Sequence, residues 1–205
     1  MNLANCEKNC VYSVKNINLS YAIKRRLEIL GMTENVDIVV LKRKIYGAVI
    51  VKIRGSRFAF GKKIADEMEE FHIQLWLAPG LNIHRNPLCG RNFEYYSEDP
   101  ILAGTLTAAV TKGVQSKKSC GVTIKHFACN NQEDNRMGVD VHISERALRE
   151  IYLRGFEIAV KNSNPVAMMS SYNLVNGVHA ANSKDLCTKI AREEWGFEGV
   201  IMSDW

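Results

Sequence analysis

From about Ser56 onward the chain alternates short apolar runs with segments of helical period, and this alternation constrains the fold more than any compositional figure. Ile73-Gln74-Leu75-Trp76-Leu77-Ala78, Val122-Thr123-Ile124, Val166-Ala167-Met168-Met169 and Gly199-Val200-Ile201-Met202 have the length and composition of buried strands. Between them lie helical patterns. Phe60, Ile64, Met68 and Phe71 recur behind Ser56 as an N-cap, and Asp99-Pro100 opens a helix with the stripe Leu102, Leu106, Ala109 and Val110. Ser144 caps a helix that keeps Leu148, Ile151, Tyr152, Phe156 and Ala159 on one face, and Ser183 caps a last helix that Gly196 ends. Repetition of this kind predicts an α/β fold with a parallel sheet and right-handed crossovers.

A closed barrel and an open doubly wound sheet both satisfy that pattern. No glycine-rich phosphate fingerprint follows the first strand, whereas polar groups follow nearly every strand: Asn82 and His84, Lys125 and His126, Tyr172 and Asn173, then Asp204. In a barrel those loops converge on one axial site, while an open sheet concentrates function at a single switch point. The reading is therefore a (β/α)8 TIM-type barrel. Residues 73–205 supply four strands and the preceding sequence two more. Since eight are needed, the barrel is expected to be incomplete at its C-terminal end and atypical at its N-terminal end.

Residues 1–55 read as an atypical lead, and residues 56–205 as a partial barrel domain that stops after the strand leading to Asp204. The lead allows a helix from Ser20 to Gly31 and strands at Val36–Leu41 and Tyr46–Val51. It carries 10 basic and 4 acidic side chains, whereas the remainder carries 17 and 18. A nearly neutral body speaks against nucleic acid as partner, and the short basic head reads as a solvated face. Six cysteines without CxxC spacing suit a reducing compartment. No stretch is long enough to span a bilayer and Met1–Leu30 lacks a signal-type apolar core, so the expected location is cytoplasmic, away from membranes. The sequence leaves the oligomeric state open.

Asp204, at the tip of a buried strand, is the first catalytic candidate, with a simple helix cap as its alternative. Lys125 at a strand exit can act as a Schiff-base nucleophile or a hydrogen-bond donor. The loop Gly90–Asp99 packs an arginine, aromatics and three acids, and Asn130–Arg136 offers the donors and acceptors that a polyhydroxylated ligand needs. Plainer readings exist for each. Arg91 could pair with Glu94 or Glu98, Tyr172 could be half-buried core and Trp205 ordinary packing. Met168 and Met169 read as core, and His72, His142 and His179 are given no role.

Five ordered blocks carry a resemblance: Pro79–Pro87, Gly90–Pro100, Lys125-His126-Phe127, Met169–Gly177 and Ser203-Asp204-Trp205. Together they resemble glycoside hydrolase family 3 in its β-glucosidase branch. The resemblance implies an N-terminal (β/α)8 barrel or a collapsed variant, hydrolysis of O-glycosyl bonds with retention, and Asp204 as nucleophile. It also implies that Arg91, Lys125, His126, Arg136 and Tyr172 bind the glycosyl unit, with Trp205 stacking on the sugar. The acid/base Glu of the family lies in a following α/β domain, and no metal or organic cofactor is implied. The expected partner is a β-glucoside or related oligosaccharide, with β-xylosides and α-arabinosides as neighbours.

Two departures accompany the match. The family's early Ser-Asp-Gly-Pro type block has no counterpart in residues 1–55, which suggests a lead not native to the family. Nothing follows Trp205 to supply the last strands or the acid/base, so the chain alone is expected to have little activity and poor solubility. The alternative function is a catalytically inactive, sugar-binding or degenerate piece of such an enzyme. An aldolase using Lys125 is allowed by position but has no phosphate site to support it.

Overall fold

The computed structural model describes residues 6, 7, 9–18, 24, 25, 28, 32–43, 49–53, 56–58 and 61–205. Its first part is an antiparallel meander in the order β1 (Val11–Ser13), β2 (Asp37–Arg43), β3 (Val49–Ile53) and β4 (Ser56–Phe58). Val11 lies opposite Val39, Ile38 opposite Ile53 and Val51 opposite Phe58, with a bulge between Val40 and Lys42. Ile38 and Val40 point to one face and join Cys6, Ile17 and Met32 in a small core of their own. The two early strands thus pair antiparallel with each other instead of entering a parallel sheet. Most of the expected Ser20–Gly31 helix, along with Tyr46–Ala48 and Phe60, lies outside the described residues. Ser56 pairs with Ile53 in β4 and caps no helix.

Helix α1 (Gly61–Glu70) follows, burying Ala65 and Met68. It stops before Phe71, which is 69 % exposed, because the chain turns at His72 with φ +56°. Four parallel strands then form one sheet: β5 (Leu75–Trp76), β6 (Gly121–Phe127), β8 (Ala167–Ser170) and β11 (Val200–Met202), each beside the next in chain order. Among the described residues this sheet does not close on itself, and β5 and β11 are its edges. Met168 and Met169 are buried in it, as expected of core strands.

Helix α2 (Pro100–Val114) links β5 to β6. Its first turn is capped by Asp99, whose Oδ1 accepts from the Ile101 amide at 2.8 Å, with Pro100 in the first helical position. The buried stripe is Leu102, Ala103, Thr107, Ala108, Thr111 and Val114, so the face is rotated from the expected one and Ala109 is exposed. A neighbouring helix sets this rotation. A Cβ on Gly104 would stand 2.6 Å from the Gly155 carbonyl oxygen and 2.9 Å from the Ile158 Cβ, so the two backbones touch at the crossing.

That neighbour begins as α3 (Glu145–Ala147), capped by Ser144 Oγ, widens into a π turn at Leu148–Tyr152 and continues as α4 (Arg154–Ser163). Within the π turn the Leu153 amide donates to the Leu148 carbonyl at 2.8 Å. The extra residue shifts the phase. Leu148, Leu153, Phe156 and Ala159 face inward while Ile151, expected on that face, is 40 % exposed. A second π-type helix, Asp185–Glu194, connects β8 to β11; Ser183 Oγ accepts from the Leu186 amide and Gly196, at φ +72°, ends it. The core joins Val122, Ile124 and Met168 to Phe127, whose ring stands edge-on to Phe156 and Trp195 at 5.2 and 5.8 Å.

A small sheet that the strand pattern did not predict is made from the loops after β6 and β8: β7 (Asp140–Val141), β9 (Leu174–Val175) and β10 (Val178–His179). Asn176 and Gly177, with φ +50° and +86°, form the two-residue turn of the β9–β10 hairpin. Asn176 also bonds both ways to the Ile143 backbone at 2.9 Å. Among the described residues no helix is long and apolar enough to cross a membrane.

Candidate active site

The site assembles at the carboxyl ends of the parallel strands, from loops widely separated in sequence. After β5 the chain runs beside the end of β6, with the Leu81 amide donating to the Lys125 carbonyl at 2.8 Å. Asn82, 4 % exposed, then grips the His126 peptide: its Nδ2 donates to the carbonyl at 2.9 Å and its Oδ1 accepts from the amide at 2.8 Å. The His126 ring is buried at 1 % exposure.

Around that ring sits a charged cluster. Arg91 Nη1 hydrogen-bonds to His126 Nε2. Because a guanidinium can only donate, Nε2 is the acceptor; Nδ1 therefore carries the proton and faces the Tyr95 hydroxyl at 3.3 Å. Arg91 Nε lies 3.6 Å from Glu94 and 3.5 Å from Glu133, while Lys125 Nζ is 3.5 Å from Glu94. Glu133 continues the network through Oε2, which accepts from Arg136 Nη1 at 2.7 Å, and the Arg136 guanidinium lies over the Tyr172 ring at 4.9 Å. Asp204 Oδ2 is 3.8 Å from His126 Nε2, a separation too long for a hydrogen bond.

The electrostatics follow from burial. Burial first, then the cations Arg91, Lys125 and Arg136, push His126 down to about 3, so the imidazole is neutral and forms no ion pair with Asp204. Burial also raises the Asp204 carboxyl above the ordinary range, and Arg91, Arg136 and Lys125 offset only part of that rise. The neighbouring cations favour the ionised form of Asp204, but desolvation outweighs them. The Tyr95 hydroxyl is raised by burial and stays neutral.

Asp204 also borders a cleft of about 250 Å³ walled by Trp205, Tyr172, Met137, His179 and Asn182. The structure therefore brings Arg91, Lys125, His126 and Asp204 into one cluster and ties Arg136 and Tyr172 to it through Glu133. Trp205 stands beside Asp204 at the cleft, 78 % exposed. Sequence reasoning placed Glu94 as a possible partner of Arg91 and Asn82 among the polar groups at the strand ends, but it did not single out Glu133 or Tyr95. The signal for Glu133 was its spacing three residues before Arg136, which puts the two side chains within reach in a turn.

The profile of the glycosyl hydrolase family 3 N terminal domain matches residues 58–205, a stretch that contains every residue of this site. The chain belongs to glycosyl hydrolase family 3. Among its family 3 relatives, β-glucosidase A of Butyrivibrio fibrisolvens is 57 % identical over 140 residues, covering 68 % of this chain and 17 % of that protein. An exo-α-(1→6)-L-arabinopyranosidase of Bifidobacterium breve is 53 % identical over 145 residues, covering 71 % and 19 %. The structure of β-glucosidase 3B from Thermotoga neapolitana in complex with glucose superposes with a TM-score of 0.69 at 60 % identity, over 71 % of this chain and 20 % of that one. The chain thus spans about a fifth of the length of the relatives it matches. A FeoA domain profile matches residues 1–69, the part that holds the antiparallel meander and α1.

Proposed function

We propose that residues 58–205 form the glycosyl-binding and nucleophilic part of a retaining exo-β-glycosidase of β-glucosidase type. The observation that carries this reading is the convergence of Asp204 with His126, Arg91 and Lys125 at the carboxyl ends of β6, β11 and the loop after β5. Retaining glycosidases work with two carboxyl groups roughly 5 to 5.5 Å apart and no cofactor. Asp204, once ionised, attacks the anomeric carbon; its raised pKa makes that carboxylate the more basic. The second carboxyl, a Glu that protonates the leaving group, comes in this reading from the part of the relatives that this chain does not span. Arg91, Lys125, His126 and Arg136 orient the sugar hydroxyls, Tyr172 supports Arg136, and Trp205 offers a ring face to the sugar.

The four parallel strands, adjacent in chain order and joined through helices, support an arc of a (β/α)8 barrel. The share of the relatives covered favours a second reading for the chain by itself, in which it binds a sugar without turning it over. One experiment addresses both. A 2-fluoro-glucoside with a good leaving group is incubated with the chain, and the Asp204 peptide is weighed by mass spectrometry. An adduct that is absent from Asp204→Asn supports the nucleophile. Glucoside binding without an adduct supports the sugar-binding reading, and robust turnover of an aryl β-glucoside by the chain alone would contradict the need for a second carboxyl from elsewhere.

A further inference from the structure

We propose that His179 is a specificity-determining residue that presents Nε2 as a hydrogen-bond acceptor to a hydroxyl of a second sugar ring seated in the cleft beside Asp204. The proposal rests on the glycosidase reading above. It begins with the ring itself. His179 Nδ1 lies 3.1 Å from the Tyr172 carbonyl oxygen. A carbonyl only accepts, so Nδ1 carries a proton, and Nε2 is the ring nitrogen left to accept from a ligand. Among the described residues Nε2 has no protein partner, and the side chain is exposed where it borders the cleft.

The ring is also held in place. His179 pairs with Leu174 across the β9–β10 hairpin, and the next residue, Ala180, is fully buried with its amide donating to the Asn173 carbonyl at 3.1 Å. An acceptor fixed in this way loses little entropy on meeting a ligand.

The position of Asp204 then indicates what His179 meets. On one side Asp204 faces His126 with Arg91 and Lys125, a cluster of charged donors suited to the hydroxyls of the glycosyl unit. Asp204 also borders the cleft, to whose walls Arg91, Lys125 and His126 do not contribute. With the anomeric carbon at Asp204 and the glycosyl ring on the charged cluster, the cleft is left for the ring across the glycosidic bond. Its walls suit one: Met137, Tyr172 and Trp205 offer apolar and aromatic surface to a pyranose face, and His179 offers the acceptor.

The test is an NMR titration of the 205-residue chain with methyl β-glucoside, phenyl β-glucoside and cellobiose. Wild type is expected to bind cellobiose more tightly than methyl β-glucoside. His179→Ala should weaken cellobiose about fivefold, the equivalent of one hydrogen bond. It should leave the two glucosides that lack a second-ring hydroxyl within about twofold, a margin too small to count as a hydrogen bond. His179→Gln, which keeps an acceptor, should recover part of the loss. An unchanged cellobiose affinity overturns the proposal, and so does an equal loss for all three ligands, which would mean that His179 acts only by holding Tyr172. If wild type binds none of the three, the glycosidase reading fails and the proposal with it, an outcome distinct from binding without dependence on His179.

Discussion

Asn82 closes two hydrogen bonds on the His126 peptide, one donated to its carbonyl at 2.9 Å and one accepted from its amide at 2.8 Å, although 44 residues separate the pair. Both partners are buried, so removing the amide side chain strands a backbone donor and acceptor. Asn82→Ala is expected to cost about 2 to 4 kcal/mol, read from urea denaturation. Asn82→Asp should also destabilise, since it keeps the acceptor, loses the donor and brings a buried charge. A variant as stable as wild type would show that the His126 peptide finds other partners.

At the crossing of α2 and α4 a single methyl group has nowhere to go. The nearest atoms to a Cβ on Gly104 are backbone atoms of Gly155, which cannot rotate away. Gly104→Ala should therefore separate the helices and cost about 1 to 3 kcal/mol despite the better helix propensity of alanine. Thermal unfolding measures the loss. Gly177→Ala at its positive φ meets no atom and should suffer only backbone strain.

His126 and Asp204 give opposite pH slopes. His126 is pushed down to about 3 in the fold and titrates at about 6.5 when unfolded. Between those values the unfolded chain binds the extra proton, so acidification through that window destabilises, and the full contribution is present above about pH 6.5. Asp204 is raised above its unfolded value of about 3.9, so its share of stability is present at low pH and is lost as pH rises through the folded value. Asp204→Asn should thus be more stable than wild type at neutral pH, with the difference vanishing on acidification. Denaturation across pH checks the convergence, and a constant offset would refute it.

Glu133 sits between two arginines, 3.5 Å from Arg91 Nε and 2.7 Å from Arg136 Nη1. Glu133→Gln keeps the shape but leaves the two cations without the shared charge. A stability loss of about 1 to 2 kcal/mol is expected for these half-buried pairs, together with weaker glucose binding as Arg91 and Arg136 lose their fixed positions. Calorimetric titration with glucose reads the second effect, which a purely structural role would not produce.

What the sequence revealed of this fold was chiefly local. Asp99, Ser144 and Ser183 were legible as caps because a cap is satisfied within three residues. The strands β6, β8 and β11 were legible as apolar runs. Two-residue strands such as β7 carry no period to detect, although Asn176-Gly177 was an available hairpin signal for β9 and β10. The π turn at Leu148–Tyr152 defeated a helical period by one residue, and Ser56 went to a strand because its partner Ile53 decided its backbone. At the site, the residue types at the strand ends were readable, but the bridge by Glu133 and the hold of Asn82 depend on which loops meet.

The contacts that draw the loops of the site together join distant parts of the chain: Asn82 to His126, Arg91 to Glu133, His126 to Asp204. None can form within a single helix or hairpin, so the complete site exists only once β11 has docked beside β8. A ligand held there recognises the finished sheet and not its parts. Its binding energy therefore adds to the stability of the whole parallel domain, so that a shift in melting temperature becomes a direct gauge of occupancy.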